Sequence, residues 1–207
     1  RLIDFAKGLT GKLPGGLLYV NVIASMLFGA IAGSAAAAAS ALGSILGKRM
    51  DEEGYPKTLG VAVNVTASTT GLVIPPSNVL IIYSLASGGV SIAALFVAGY
   101  LPGLLLGLVL MLCAAFFIKK NNLPPGETIR FSFLVKSFWR ALPSLFLLFL
   151  VIGGIVAGVF TATEASAIAV VYTLILSFLY RELKLSELPG ILVRSSETTA
   201  VVLLLIG

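Results

Sequence analysis

The chain has 207 residues, of which 58% are apolar and 11% charged, and its mean hydropathy is +1.06. Those values exclude an ordinary water-soluble domain. The net charge of +5 would point to nucleic acid in a soluble chain, but here the basic residues punctuate long apolar runs, so membrane topology accounts for them and nucleic acid does not.

Residues 1–13, RLIDFAKGLTGKL, set Leu2, Ile3, Phe5, Ala6 and Leu9 on one helical face, with Arg1, Asp4, Lys7 and Lys12 largely elsewhere. That pattern predicts a helix lying in the membrane interface; an end frayed by truncation is the alternative. Residues 16–47 follow, 32 in a row without a charge. As one helix they would extend about 48 Å, well beyond a hydrocarbon core of about 30 Å. Lys12 stands before them and Lys48 and Arg49 after, so the positive-inside bias puts both ends on the cytoplasmic side. A segment that enters and returns to one side is a re-entrant helical hairpin. Its tip falls in the small-residue stretch at Gly33-Ser34, where backbone can turn and a neighbour can approach closely. The alternative is one long tilted span whose small residues pack helices.

Residues 48–57, KRMDEEGYPK, are the densest charge cluster and read as a cytoplasmic loop. Residues 58–71 and 76–87 are each too short to cross alone at about 1.5 Å per residue. Joined through Pro75-Pro76 they can cross. Two consecutive prolines withdraw two backbone donors and disfavour helix at Ile74, which predicts a discontinuous transmembrane helix. Lipid offers freed carbonyls no partner, so such a break survives only where protein or a polar cavity surrounds it.

Gly88-Gly89 turns the chain, and residues 91–118 cross back to Lys119-Lys120. Residues 119–141 hold NNLPPGE and then RFSFLVKSFWRAL, which suits a cytoplasmic linker and a second interfacial helix. Residues 142–160 cross outward. The run from Thr161 to Glu164 is a capping-box pattern that opens the next helix, which returns to Arg181 and Lys184. Residues 185–195 lead into a final span starting near Glu197. Arg1 in first place and the apolar AVVLLLIG at the other end read as an excerpt of a longer protein, and nothing resembles a signal peptide. With residues 16–47 re-entrant, all 14 Lys and Arg fall on one side and the opposite loops hold Glu164 alone. Were residues 16–47 to cross, basic clusters would face both ways.

The fold class is therefore all-α: a polytopic membrane protein with a re-entrant hairpin and a discontinuous helix. Its chemistry follows from the two breaks. The first half-helix ends with carbonyls near Ser68, Thr69, Thr70 and Gly71, hard oxygen ligands suited to a small cation such as Na⁺. The second begins near Pro76-Ser77-Asn78 with free amides and a partial positive charge, suited to a carboxylate. The hairpin tip at Gly33-Ser34 presents the same two kinds of end, and two broken elements meeting at mid-membrane is the general plan of secondary transporters. Hydroxyls in membrane helices commonly bond back to their own backbone, yet hydrocarbon would penalise so dense a cluster as Asn64, Thr66, Ser68, Thr69, Thr70, Ser77 and Asn78. Neither residues 13–47 nor 58–118 contain an ionisable carboxylate or basic side chain, so ion binding there rests on neutral oxygens rather than a proton relay. The chain has one cysteine, Cys113, and no histidine, so it offers neither a thiolate cluster nor the commonest general base. An intramembrane enzyme would need a nucleophile–base pair or metal triad that these residues do not supply.

The stretches GGLLYVNVIASMLFGAIAGSAAAAASALGSI, EEGY, NVTASTTGLVIPPSNVLIIYSLASGGVSIAALFVAGYLPGLLLG and FTATEASAIAVVYTLILSFLYRELKLSELP occur in that order. Over nearly its whole length the chain so resembles the large permease subunit (DctM or SiaM type) of TRAP transporters, in the ion-transporter superfamily. The resemblance implies an elevator-type, Na⁺-coupled transporter with two inverted repeats in a bacterial inner membrane. It also implies a small membrane subunit of the DctQ or SiaQ type, separate or fused, and a periplasmic binding protein that delivers an organic anion such as sialic acid or a C4-dicarboxylate. On this reading residues 1–118 form the transport unit, 119–141 the linker with its interfacial helix, and 142–207 scaffold helices and the start of a second repeat. Sodium would be held by Gly33, Ser34, Ser68, Thr69, Gly71 and Pro75, and substrate by Ser34, Ser77 and Asn78. Many members read GSAVADAAALG where Ala38 here takes the Asp position, which removes an acid and leans slightly toward the sialic-acid type. A membrane scaffold subunit that transports nothing is the rival function.

Overall fold

The computed structural model describes residues 1–126 and 128–206, and every regular element among them is helical. In chain order these are α1 (Leu2–Thr10), α2 (Gly16–Ala32), α3 (Ala35–Glu52), α4 (Lys57–Ser68) with a 3-10 turn (Thr69–Leu72), α5 (Asn78–Ala86), α6 (Ile92–Lys120), α7 (Phe131–Val156), α8 (Ala162–Leu179), a second 3-10 turn (Leu185–Glu187) and α9 (Leu188–Ile206). The helices α6, α7 and α8 are each long and apolar enough to cross a membrane, and α4 with α5 passes the same test as one pair bent by 48°. The chain is an all-α, multi-pass membrane protein.

It divides into two compact units, residues 1–159 and 160–207. In the first, α2 ends where Gly33 turns left-handed at φ 61° and donates its N–H to the Gly29 carbonyl; a Cβ would be strained there. One residue on, the Ser34 hydroxyl accepts from the Ala37 amide at 3.3 Å and caps α3. Leu42, Leu46 and Met50, spaced by one turn along α3, are buried in a single cluster with Leu17, Leu18, Val20 and Ala24 of α2. The last turns of α3 thus meet the first turns of α2, so the two helices fold back on one another as a hairpin with Gly33-Ser34 at its tip.

The helix α4 sets out beside the base of this hairpin, where a Cβ on Gly60 would lie 3.1 Å from Met50 Sδ. Its side-chain amide at Asn64 donates to the Ala39 carbonyl of α3 at 2.8 Å. The α-helix ends at Ser68, tightens through Thr69–Leu72 and restarts at Asn78, with Pro75 and the cis-linked Pro76 between. Residues 142–160 were expected to begin a span of their own, separate from an interfacial helix. Instead α7 runs unbroken from Phe131 to Val156 with Pro143 inside it. The helix begins outside the apolar run and continues through Pro143, whose missing N–H removes one helical hydrogen bond without ending the helix.

The helix α6 contributes a feature that hydropathy alone does not show. Gly99, Gly103 and Gly107 are all buried and, four apart, share one face. A Cβ on Gly99 would lie 2.7 Å from the Val73 carbonyl, one on Gly103 2.5 Å from the Ile74 side chain, and one on Gly107 would collide with Met26 of α2. This glycine channel seats the unwound chain after α4, so protein rather than lipid surrounds the break.

In the second unit the expected capping box is present: Thr161 Oγ1 accepts from the Glu164 amide at 3.3 Å, and the Glu164 carboxylate accepts from the Thr161 amide at 2.8 Å. The last helix does not begin near Glu197. It begins at Leu188 and carries Glu197 in its interior, because Pro189 fits a first helical turn and polar side chains do not interrupt backbone hydrogen bonding.

A Cβ on Gly29 would lie 2.5 Å from Gly71 Cα, whereas one on Gly47 would meet nothing within 4 Å. Gly29→Ala in the purified full-length protein is therefore expected to cost on the order of 1–3 kcal/mol through overpacking and to lower the melting temperature by several degrees. Gly47→Ala should leave it unchanged or raised; equal melting temperatures for the two variants would refute the close approach.

Candidate functional site

The close approach of Gly29 and Gly71 brings the end of α2 against the 3-10 turn that follows α4. One turn further along α2 is the hairpin tip. A Cβ on Gly33 would lie 3.1–3.2 Å from the Asn78 side-chain amide, so the tip of the hairpin and the first residue of α5 are neighbours. The two interruptions expected from the sequence therefore meet.

Around this junction Ser68, Thr70 and Ser77 have no exposed surface, and Pro75 is also wholly buried. Gly33 and Gly71 are buried, Ser34 is half-buried, and Thr69 and Asn78 are exposed. Nearly every hydroxyl gives its proton to a carbonyl of its own segment. Ser68 donates to Asn64 at 2.7 Å, Thr69 to Thr66 at 2.7 Å, Thr70 to Ala67 at 2.6 Å, and Ser77 across the break to Leu72 at 2.5 Å. An oxygen that has spent its proton presents only lone pairs. Ser68, Thr70 and Ser77 can thus accept but not donate further, a chemistry that suits a hard cation of low charge.

The donor side lies elsewhere. Ser77 occupies the N-cap position of α5 without a side-chain cap to the first-turn amides, so those N–H groups, with the Asn78 side-chain amide beside Gly33, remain available as donors. Ser34 differs from the other hydroxyls: it accepts from Ala37 and retains a proton to donate. Among the described residues there is no cluster of three His, Cys, Asp or Glu that could hold a metal ion. Ala38, at the position discussed for an acid, is completely buried in the hairpin.

Two polar residues of α2 escaped the sequence reading. Asn21 and Ser25 are 1% and 0% exposed, and Ser25 donates to Asn21 Oδ1 at 3.2 Å. Asn21 Nδ2 and Asn64 Oδ1 are buried without a partner among the described residues, one donor and one acceptor on two helices that pack together. Buried orphans of this kind mark polar interior. The signal was an asparagine and a serine one turn apart in a 17-residue helix that carries no charge.

A family model described as the DctM component of the tripartite ATP-independent periplasmic transporter matches residues 1–207. A protein called uncharacterized protein YgiK, from Salmonella typhimurium strain LT2, is 52% identical over 207 residues, covering 100% of this chain and 48% of that one. The C4-dicarboxylate TRAP transporter large permease protein DctM of Pseudomonas aeruginosa is 40% identical over 208 residues, covering 100% and 48%. The sialic acid TRAP transporter permease protein SiaT of Haemophilus influenzae is 36% identical over 212 residues, covering 100% and 33%. The chain thus spans about half the length, or less, of these relatives.

The hydroxyl of Ser77 ties the two sides of the break by donating to the Leu72 carbonyl. In Ser77→Ala, amide exchange over residues 73–79 is expected to quicken about fivefold, the equivalent of about 1 kcal/mol for a lost hydrogen bond, while α2 is unaffected. Unchanged exchange at the break would show that this bond does not hold it.

Proposed function

The chain belongs to the DctM component family of tripartite ATP-independent periplasmic transporters, and on that premise we propose that it forms the ion-binding half of a large permease subunit that takes up an organic anion in symport with Na⁺. The observation that carries this reading is the meeting of the hairpin tip with the interrupted helix, Gly33 beside Asn78 and Gly29 against Gly71. The hairpin re-enters from the cytoplasmic side, and sodium is held between its tip at Gly33-Ser34 and the oxygens of Ser68, Thr69, Gly71 and Pro75. The exposed Thr69 contributes through its carbonyl. The acceptor-only character of the buried hydroxyls supports a cation there.

The anion is bound beside the cation by donors: the Ser34 hydroxyl, the Asn78 amide and the first amides of α5. Ser77, assigned to substrate on sequence grounds, acts more readily as a cation ligand, since its proton is given to Leu72. Coupling follows from sharing one junction. A cation that draws the carbonyls together fixes the tip and the start of α5 in the geometry that accepts the anion, so each ligand favours the other. Residues 1–118 form the transport unit of an elevator that carries both ligands across the membrane. The names of the relatives indicate a carboxylate-bearing solute, a C4-dicarboxylate or sialic acid. A small membrane subunit and a periplasmic binding protein complete the system in a bacterial inner membrane.

Uptake by reconstituted full-length protein, with its small subunit and binding protein, should require a Na⁺ gradient. In Ser77→Ala the Na⁺ concentration for half-maximal uptake should rise about tenfold, matching the loss of one oxygen ligand at about 1.4 kcal/mol, with protein level unchanged. In Ser34→Ala, which removes an anion donor, the substrate concentration for half-maximal uptake should rise by a similar factor. Uptake that ignores Na⁺, or a Ser77→Ala variant with the wild-type Na⁺ dependence, would overturn the assignment.

A further inference from the structure

The helix α7 contains 26 residues, about 39 Å at 1.5 Å per residue, against a hydrocarbon core of about 30 Å. The excess falls at its beginning, where the chain is amphipathic. Phe131, Val135 and Trp139, one turn apart, form a row with 74%, 41% and 64% of their surface exposed. Lys136 and Arg140 form a second row one residue further round the helix, and both are exposed. Neither cation has an ion pair among the described residues. The opposite side of this segment is covered by α1, which runs antiparallel to it. A Cβ on Gly8 would lie 2.9 Å from the Leu134 side chain, and the rings of Phe5 and Phe138 stand 5.7 Å apart. Of the three elements with the most extensive packing on α7, namely α1, α2 and α6, only α1 carries a carboxylate among the described residues. That is Asp4, which lies 3.7 Å from the α-amino group of Arg1.

We propose that the paired rows of α7, Phe131–Val135–Trp139 beside Lys136 and Arg140, are a seat for anionic phospholipid on one membrane leaflet. Charge complementarity selects the occupant. Two uncompensated cations next to an exposed aromatic row match an anionic headgroup above an acyl chain, with the aromatics at headgroup level and the long basic side chains reaching to the phosphates. A protein partner would have to bring carboxylates into the same narrow band. Because α7 is continuous, this seat is rigidly joined to the span that follows, so lipid held here fixes the depth of α7 in the bilayer. The α1 helix, and with it the base of the hairpin, is docked on the same segment. The inference rests on the placement of α7 in a membrane and not on the transport reading, which can fail separately.

The test uses full-length permease in detergent, relipidated with phosphatidylglycerol or with phosphatidylcholine of the same acyl chains. Phosphatidylglycerol should raise the melting temperature several degrees more than phosphatidylcholine at low salt, and 1 M NaCl should erase most of that difference. In K136Q/R140Q the difference should fall by at least half. The charge-conserving K136R/R140K should keep it, as should K119Q/K120Q at the end of α6. Equal stabilisation of the wild type by both lipids, or a full response in K136Q/R140Q, overturns the proposal. So does a K136Q/R140Q variant that loses a copurifying subunit while responding to phosphatidylglycerol as before, because the face would then be a protein contact.

Discussion

Two glycines facing each other hold this structure to its plan. Gly29 near the end of α2 and Gly71 after α4 touch backbone to backbone, with no room for a Cβ on either. A helical hairpin can approach an interrupted helix this closely only where neither has a side chain at the crossing. Everything else at the junction depends on that separation. The tip four residues beyond Gly29 reaches Asn78, and the buried hydroxyls of α4 are enclosed by protein. The glycine face of α6 applies the same solution a second time, at Val73 and Ile74, so the unwound stretch is walled in from two directions.

Enclosure alone would make the break costly, because buried carbonyls and hydroxyls need partners. The structure satisfies the hydroxyls locally, and in doing so it sets their chemistry. Serine and threonine side chains that bond back to their own helix are commonly structural. Here the back-bonds also turn each oxygen into a pure acceptor, whereas the beginning of α5 offers uncapped backbone amides as donors. The two halves of one broken helix are therefore chemically opposite, without a single ionised side chain between them.

The sequence reading placed the hairpin tip, the break and the capping box where the structure has them. Each rests on local rules: a left-handed glycine, consecutive prolines, a Thr–Glu spacing. It erred where continuity had to be judged. Cationic and aromatic residues between 130 and 141 mark a change of solvent, but the helix does not register that change, and α7 continues through it. Glu197 likewise lies inside a helix rather than at its start, and α9 begins at Leu188. Hydropathy reports the environment of a segment, whereas backbone hydrogen bonding decides where helices end.

The sequence by itself determined the class of protein, the interruptions and the supply of neutral oxygens, because composition, glycine and proline act through the chain's own backbone. Only the tertiary structure decided which groups meet: Gly29 with Gly71, Gly33 with Asn78, Gly99 and Gly103 with the unwound chain. It also decided which way the hydroxyl protons point, and so which side of the break accepts and which donates. Those facts depend on contacts between residues dozens of positions apart, and on hydrogen bonds selected by packing, neither of which a one-dimensional pattern of residue types contains.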